Sequence, residues 1–366
     1  MKLKQKLALS MMLGLTVATL AACGGSDSNS NNNSTTLTAP FKTTLLVSDG
    51  STPAAHADAN LQNGWGIAFN PTGVMWVSDN TTSKSTLYDG NGVPQSLVVT
   101  IPPAANGRPG GPTGIVFNTT TDFQISASGN TSNALFLWAT EAGTIAGWSP
   151  KVLPTTAVIA FDDAAGAAVY KGLAIGNNAT GNFLYATDFH NNKVDVFDKN
   201  FAKVQLAGSF QDPALPAGFA PFGINVTGTT VTVTYAKQGT DGRKQVNGAG
   251  NGVIDTFDTD GRFIKRIASG GALNSPWGIA MAPANFGAAS NDLLIGNFGD
   301  GTINAFNPTT GAFIGALTQA DGTPIKQTGI WGMSFGNNAA SQPTNTLFFA
   351  AGPSPTTGIY GRIDAQ

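Results

Sequence analysis

Short runs of β-branched and aromatic residues, bounded by Gly, Asn, Asp, Ser or Pro, recur from about residue 41 to the C-terminus. Beyond the first twenty-odd residues, no window of comparable length has the 3.6-residue period of an amphipathic helix. The runs come in sets, each opened by a glycine followed by apolar residues: Trp65-Gly66-Ile-Ala, Thr113-Gly114-Ile-Val, Lys171-Gly172-Leu-Ala, Phe222-Gly223-Ile-Asn, Trp277-Gly278-Ile-Ala and Trp331-Gly332-Met-Ser. Spacings of 48, 58, 51, 55 and 54 residues between these glycines leave room for four short strands per unit with generous loops. Six such units predict an all-β chain folded as a six-bladed β-propeller, one unit per blade.

Second strands are expected over residues 74–78, 134–139, 183–187, 231–235, 292–296 and 346–350, and third strands follow each of them. Fourth strands such as 97–101 and 263–267 complete most blades. The sixth copy ends after its third strand, whereas Lys42-Thr-Thr-Leu-Leu-Val47 stands before blade one as an outer strand stands before every other copy. This N-terminal strand is therefore expected to complete the last blade and close the ring, which removes its exposed edges. The repeated glycine suits crowding of first strands round the axis, and Trp65, Trp277 and Trp331 are expected as wedges between neighbouring blades.

Composition adds the two ends of the chain. Charged residues make up only 11% and glycine contributes 46 residues, in keeping with short strands and many turns. Lys2, Lys4 and Lys6, the apolar run from Leu7 to Leu20 and the small residues before Cys23 form an export signal too short to span a membrane. Leu20-Ala-Ala-Cys23 resembles the lipobox of bacterial lipoproteins, and Cys23 is the single cysteine, so no internal disulfide competes for it. The expected organisation is a signal over residues 1–22, a lipidated Cys23 with a Ser/Asn-rich tether over 23–40, and one propeller over 41–366. Gly24 after the Cys resembles the pattern sent to the outer membrane of two-membrane bacteria, giving a lipid-anchored, extracytoplasmic monomer. Loss of the three signal lysines leaves 16 basic residues against 21 acidic ones, a formal charge of −5, which argues against a nucleic-acid partner.

Blade three contains Phe183-Leu-Tyr-Ala-Thr-Asp188-Phe-His-Asn-Asn-Lys193-Val-Asp-Val-Phe-Asp198. This is similar to the NHL repeat signature, and with His56-Ala-Asp-Ala-Asn-Leu-Gln-Asn-Gly-Trp-Gly-Ile and Trp76-Val-Ser-Asp-Asn80 it resembles a family of uncharacterised, exported bacterial NHL-like propellers. The resemblance implies fold and export and carries no activity.

Loops between second and third strands, and between one blade and the next, emerge together at the channel mouth, where a rigid scaffold makes side chains converge. They bring Asp79, Asn80, Glu141, Asp188, His190, Lys237 and Asn297 to that face, and His56, Arg108, Lys171 and Gln327 from the connections between blades. Glu141 is the only glutamate, and His56 and His190 are the only histidines. Two functions follow. The first is a cell-envelope propeller that binds a glycan, a peptide or an envelope protein at its mouth. The alternative is a calcium-dependent hydrolase, similar to lactonase propellers in residue type and placement, with Glu141, Asp188 and Asn297 as oxygen ligands for a hard cation. Set against the alternative, an Asp after a second strand is also what the turn itself requires, accepting backbone N–H groups. The Gly-rich stretch from Lys237 to Asn251, with Arg243 and Lys244, is long enough to fold over the mouth and present positive charge to an anion. No Gly-x-Ser-x-Gly or haem-attachment motif is present.

Overall fold

The computed structural model describes Leu37 and residues 39–366, so the expected signal peptide, Cys23 and all but the end of the expected tether lie outside the described residues. Six antiparallel sheets form the six blades. Blade one is built from Gly64–Phe69, Met75–Asp79, Lys84–Tyr88 and Val99–Thr100, from the axis outward. Blades two to five repeat that order. Their first strands are Pro112–Phe117, Tyr170–Asn178, Phe219–Thr227 and Pro276–Met281.

Blade six closes the ring as expected. Its inner strands Ile330–Phe335, Thr346–Ser354 and Thr357–Ala365 come from the C-terminus, and Phe41–Ser48 pairs antiparallel with the last of them, Phe41 opposite Ala365 and Ser48 opposite Ile359. A two-residue strand, His56–Ala57, adds a fifth element outside Phe41–Ser48. Blade two carries an unanticipated hairpin, Gln124–Ala127 with Asn130–Asn133, which accounts for the long 58-residue spacing between Gly114 and Gly172. Packing against the propeller reaches back beyond the expected domain start at residue 41. Leu37 is buried against blade-five and blade-six residues, and its carbonyl accepts a hydrogen bond from Thr318 Oγ1 at 3.1 Å.

The core lies in the seams between blades. Six clusters of buried apolar side chains separate adjacent sheets, one at each seam, and a seventh fills the axis. Period-2 alternation feeds them: Phe136 and Trp138 face blade one while Leu137 and Ala139 face blade three, and Leu293 and Ile295 pack towards blade four while Leu294 packs towards blade six. A blade buried on both faces needs apolar residues at successive positions, which is why the second strands read as continuous apolar runs.

Each first strand shifts register against its neighbour at or next to the glycine of the repeated motif. Such a bulge adds local twist and re-aims a side chain. The six glycines then face the first strand of the next blade round the ring, and at five of the six a Cβ would stand 2.6 Å or less from that strand's backbone. The axis is therefore ringed by backbone-to-backbone contacts that only glycine permits.

Candidate functional site

The residue ahead of each axial glycine is Trp65, Thr113, Lys171, Phe222, Trp277 or Trp331 in turn. Four of them meet across the axis and plug it. Trp331 stacks on Trp65 with centroids 3.6 Å apart and on Phe298 at 4.1 Å, and Trp277 stands edge-on to Trp331 at 5.7 Å. Trp277, Trp331 and Trp65 come from the consecutive blades five, six and one, so Trp331 bridges its two neighbours, in keeping with the expected packing between adjacent blades, while Phe222 of blade four meets it across the axis at 5.7 Å. The bulge turns these side chains onto the axis.

Lys171 occupies the blade-three position of this column and is 2% exposed. Its ammonium lies 5.1 Å above the Trp65 ring, extending the stack with a cation–π contact. It also donates to Glu141 Oε1, forming an ion pair. Glu141 Oε2 accepts from Asn80 Nδ2 at 3.2 Å, and Asn80 Oδ1 accepts from Asn63 Nδ2 at 3.1 Å. Burial alone would raise the Glu141 carboxyl, but the adjacent Lys171 charge and hydrogen bond, helped by the Asn80 amide, hold it below the usual glutamate range. Glu141 is ionised, and one third of its side chain opens outward.

Two guanidinium groups complete the mouth. Arg108, from the connection into blade two, donates to the Glu141 carbonyl oxygen at 3.1 Å, and Arg243, from the long blade-four loop, donates to the same oxygen at 3.2 Å. Among the described residues neither Arg forms an ion pair. Two like charges about 6 Å apart repel by roughly 1 kcal/mol in a water-like medium and about 3 kcal/mol at the effective dielectric of a protein surface. The loop carrying Arg243 folds over the mouth as its length suggested, with Gln238 donating to the carbonyl oxygens of Phe189 and His190 on the way.

Above the aromatic plug is a cavity of about 390 Å³ whose lining includes Asn63, Asn80, Glu141, Lys171, Lys244 and Trp331. A larger cavity, about 510 Å³, opens at the opposite end of the axis, with a largely apolar lining that includes Ile67, Phe69, Ile115, Phe117 and Leu173. The mouth is the stronger candidate because charged and amide groups from several blades converge there, and such groups fix a ligand's orientation.

The residues expected at the mouth divide. Asn80, Glu141 and Arg108 are brought together. Asp79 is fully buried in blade one, where burial pushes its carboxyl well above the usual aspartate range and Thr86 Oγ1 donates to it at 3.2 Å. Asp188 is equally buried and accepts from the Val169 and Asn191 backbone N–H groups at 3.1 and 3.3 Å, the turn role open to it from the sequence. Asn297 is likewise engaged in its own blade by the Asn274 N–H, the Ala272 carbonyl and Thr302. Glu141, Asp188 and Asn297 therefore do not form the calcium set expected of them, since the last two are turned into their own blades. Among the described residues no three His, Cys, Asp or Glu side chains gather as a metal site.

His56 sits in the outermost strand of blade six, away from the axial cluster, so its expected place at the mouth is corrected. His190 lies under the blade-four loop, where a Cβ on Gly242 would stand 2.9 Å from its Nδ1, and Lys237 is exposed outside the cavity lining. Asn63 was missed as a site residue, and Lys171, expected at this face, was not singled out for chemistry. The signal for Lys171 was present: it is the one charged residue in a column otherwise aromatic or Thr.

No family model matches the chain. The mimivirus protein named "Uncharacterized protein L690", from Acanthamoeba polyphaga mimivirus, is 34% identical over 334 residues, 89% of this chain and 86% of that protein. "Uncharacterized protein R648" of the same virus is 33% identical over 303 residues, 80% of this chain and 73% of that protein. Among solved structures, one titled "glucose dehydrogenase" matches with a TM-score of 0.51 at 12% identity, covering 89% of this chain and all of that one, a likeness of fold alone. With identities above 30% over more than two thirds of each viral protein, the two alignments place this protein: it belongs to the same family as L690 and R648.

Proposed function

We propose that the protein is a cell-envelope lipoprotein, anchored to the membrane at Cys23, whose propeller binds a glycan, a peptide or an envelope protein at the channel mouth. The observation that carries the binding half is the convergence of Lys171, Glu141, Asn80 and Asn63 on one cavity of about 390 Å³ over an aromatic plug. The plug seals the axis below them, so a ligand entering the mouth meets a floor and a set of buried and half-buried polar groups. The anchoring half is supported by the basic start, apolar run and Leu-Ala-Ala-Cys motif of residues 1–23.

Both halves are open to direct test. Arrays of saccharides and of envelope-derived peptides, probed with the propeller domain, are expected to give binding that Asn80→Ala and Glu141→Gln weaken. Binding that these changes leave intact refutes the mouth as its location. Expressed in a bacterium, the full chain is expected to incorporate labelled palmitate and fractionate with membranes, and Cys23→Ala to do neither. Membrane association unchanged by that substitution refutes the anchor.

A further inference from the structure

The mouth concentrates positive charge on a chain whose net charge is negative. Lys171 is matched by Glu141 and the Asn80 amide takes the other carboxylate oxygen, so this one carboxylate, whose charge Arg108 also feels, forms its ion pair with the lysine and not with an arginine. Arg108 and Arg243 instead share one neutral acceptor, the Glu141 carbonyl oxygen. Because their nitrogens stand 3.1 and 3.2 Å from that oxygen, they are no more than 6.3 Å apart. Lys244 follows Arg243 in the same loop and lines the cavity. The nearest acid in sequence, Asp241, accepts from the backbone N–H groups of Arg243 and Lys244 at 2.9 and 3.2 Å, an engagement with the turn of the loop that leaves the guanidinium without a carboxylate.

Two elements from different blades are thus folded so that their guanidinium groups meet with a single nearby carboxylate to set against them, one already paired with Lys171. A carboxylate or sulfate has oxygens spaced to accept one charge-assisted hydrogen bond from each. Beside this clamp, the amides of Asn63, Asn80 and Gln245 line the cavity and suit the hydroxyl groups of a polar ligand body. We propose that the mouth is a receptor for an oxyanion, a carboxylate or sulfate carried on a small polyhydroxylated ligand, with Arg108 and Arg243 as a two-armed clamp. This rests on the mouth being the binding site and names the chemistry it selects.

The test uses the full chain and three probes at constant ionic strength: D-glucuronate, inorganic sulfate and D-glucose, titrated calorimetrically. Glucuronate or sulfate is expected to bind at least tenfold more tightly than glucose. Preference for glucuronate identifies an acidic saccharide as the source of the oxyanion, and preference for sulfate a free or esterified sulfate. Arg108→Gln and Arg243→Gln are each expected to weaken anion binding about tenfold, with Arg→Lys at either position restoring part of the loss. If either glutamine variant fails to fold, Lys244→Gln, at an exposed position, is expected to give a smaller loss in the same direction. Glucose bound as tightly as both anions, or anion affinity unchanged in the arginine variants, overturns the clamp while leaving neutral-ligand binding at the mouth intact. A failure of every probe overturns the clamp and is distinguished from failure of the binding reading by the arrays, which do not depend on charge.

Discussion

Replacing the six axial glycines one at a time by alanine tests whether backbone contact round the axis sets the size of the ring. The added Cβ would stand 2.1 Å from the Trp277 carbonyl oxygen at Gly223, 2.2 Å from the Leu173 nitrogen at Gly114, 2.5 Å from a carbonyl oxygen at Gly66 and at Gly278, 2.6 Å at Gly332, and 3.0 Å from its nearest backbone atoms at Gly172. Ordinary contact begins near 3.4 Å, so Gly223 and Gly114 require the neighbouring strand to retreat by more than 1 Å, and Gly172 by a few tenths. Overpacking of this kind costs about 1–3 kcal/mol and more where backbone must move. Against it stands the roughly 0.4–1 kcal/mol gained when alanine restricts the unfolded chain. Gly172→Ala is therefore expected to be close to neutral, and Gly223→Ala and Gly114→Ala to lose about 3 kcal/mol or more. For a domain of some 330 residues a loss of 3 kcal/mol lowers Tm by about 4 °C. Urea unfolding of the six variants, read as the shift in midpoint at constant m-value, measures the series. Losses that ignore the order of the distances, or a Gly223→Ala variant as stable as wild type, would refute a ring held at contact distance by its glycines.

Other perturbations address the plug, the ion pair and the buried acids. Trp331→Ala removes the centre of the axial stack and is expected to cost about 3–5 kcal/mol in the same unfolding assay. Lys171→Met leaves Glu141 ionised without its ammonium; breaking a buried pair costs roughly 3–5 kcal/mol, reduced here towards 1–2 kcal/mol because one third of Glu141 is open to water. Adding Glu141→Gln is expected to recover part of that loss, and a double-mutant cycle showing no coupling would refute the pair. Burial raises the Asp255 carboxyl to about 7, with a hydrogen bond from Tyr235 opposing it only in part. The folded state then holds a proton that the unfolded state gives up near 3.8, so stability is full below that value and falls as pH rises to about 7, by as much as about 4 kcal/mol. Asp255→Asn is expected to flatten the urea midpoint against pH across that window, and an unchanged profile would refute the assignment.

Most of the architecture was legible because each blade repeats the same local problem. A strand buried on both faces must be apolar at consecutive positions, and runs such as Leu293-Leu-Ile295 announced themselves. The spare strand at Phe41–Ser48 was legible by subtraction, because a sixth blade one strand short has to be completed from elsewhere. The site was only partly legible. Asp79, Asp188 and Asn297 sit at the ends of second strands, and sequence position alone does not say whether such a side chain turns into its own blade or towards the axis. His56 was misplaced because a connection between blades was taken to run at the mouth, whereas it adds a strand to the rim. The meeting of Arg108 with Arg243 depends on the fold of a Gly-rich loop across blade three, which no local pattern encodes.

Neighbouring columns of the repeat divide the labour between architecture and chemistry. The glycine column fixes how closely the first strands pack, and the bulge beside it aims the preceding column at the axis, so the preceding residue can vary without changing the spacing of the ring. Blade three uses this freedom. In a column that supplies aromatic rings to the plug, it presents Lys171, whose ammonium lies over the Trp65 ring and reaches Glu141. That pairing fixes the Glu141 turn, and the carbonyl of the same residue is where Arg108 and Arg243 meet. The clamp therefore depends on a lysine that never touches it: Lys171→Met is expected to loosen the turn and weaken anion binding with Arg108 and Arg243 both in place, and Lys171→Arg to retain most of it. Equal anion affinity in Lys171→Met and wild type, measured on folded protein, would show that the arginines are positioned independently of the axial column.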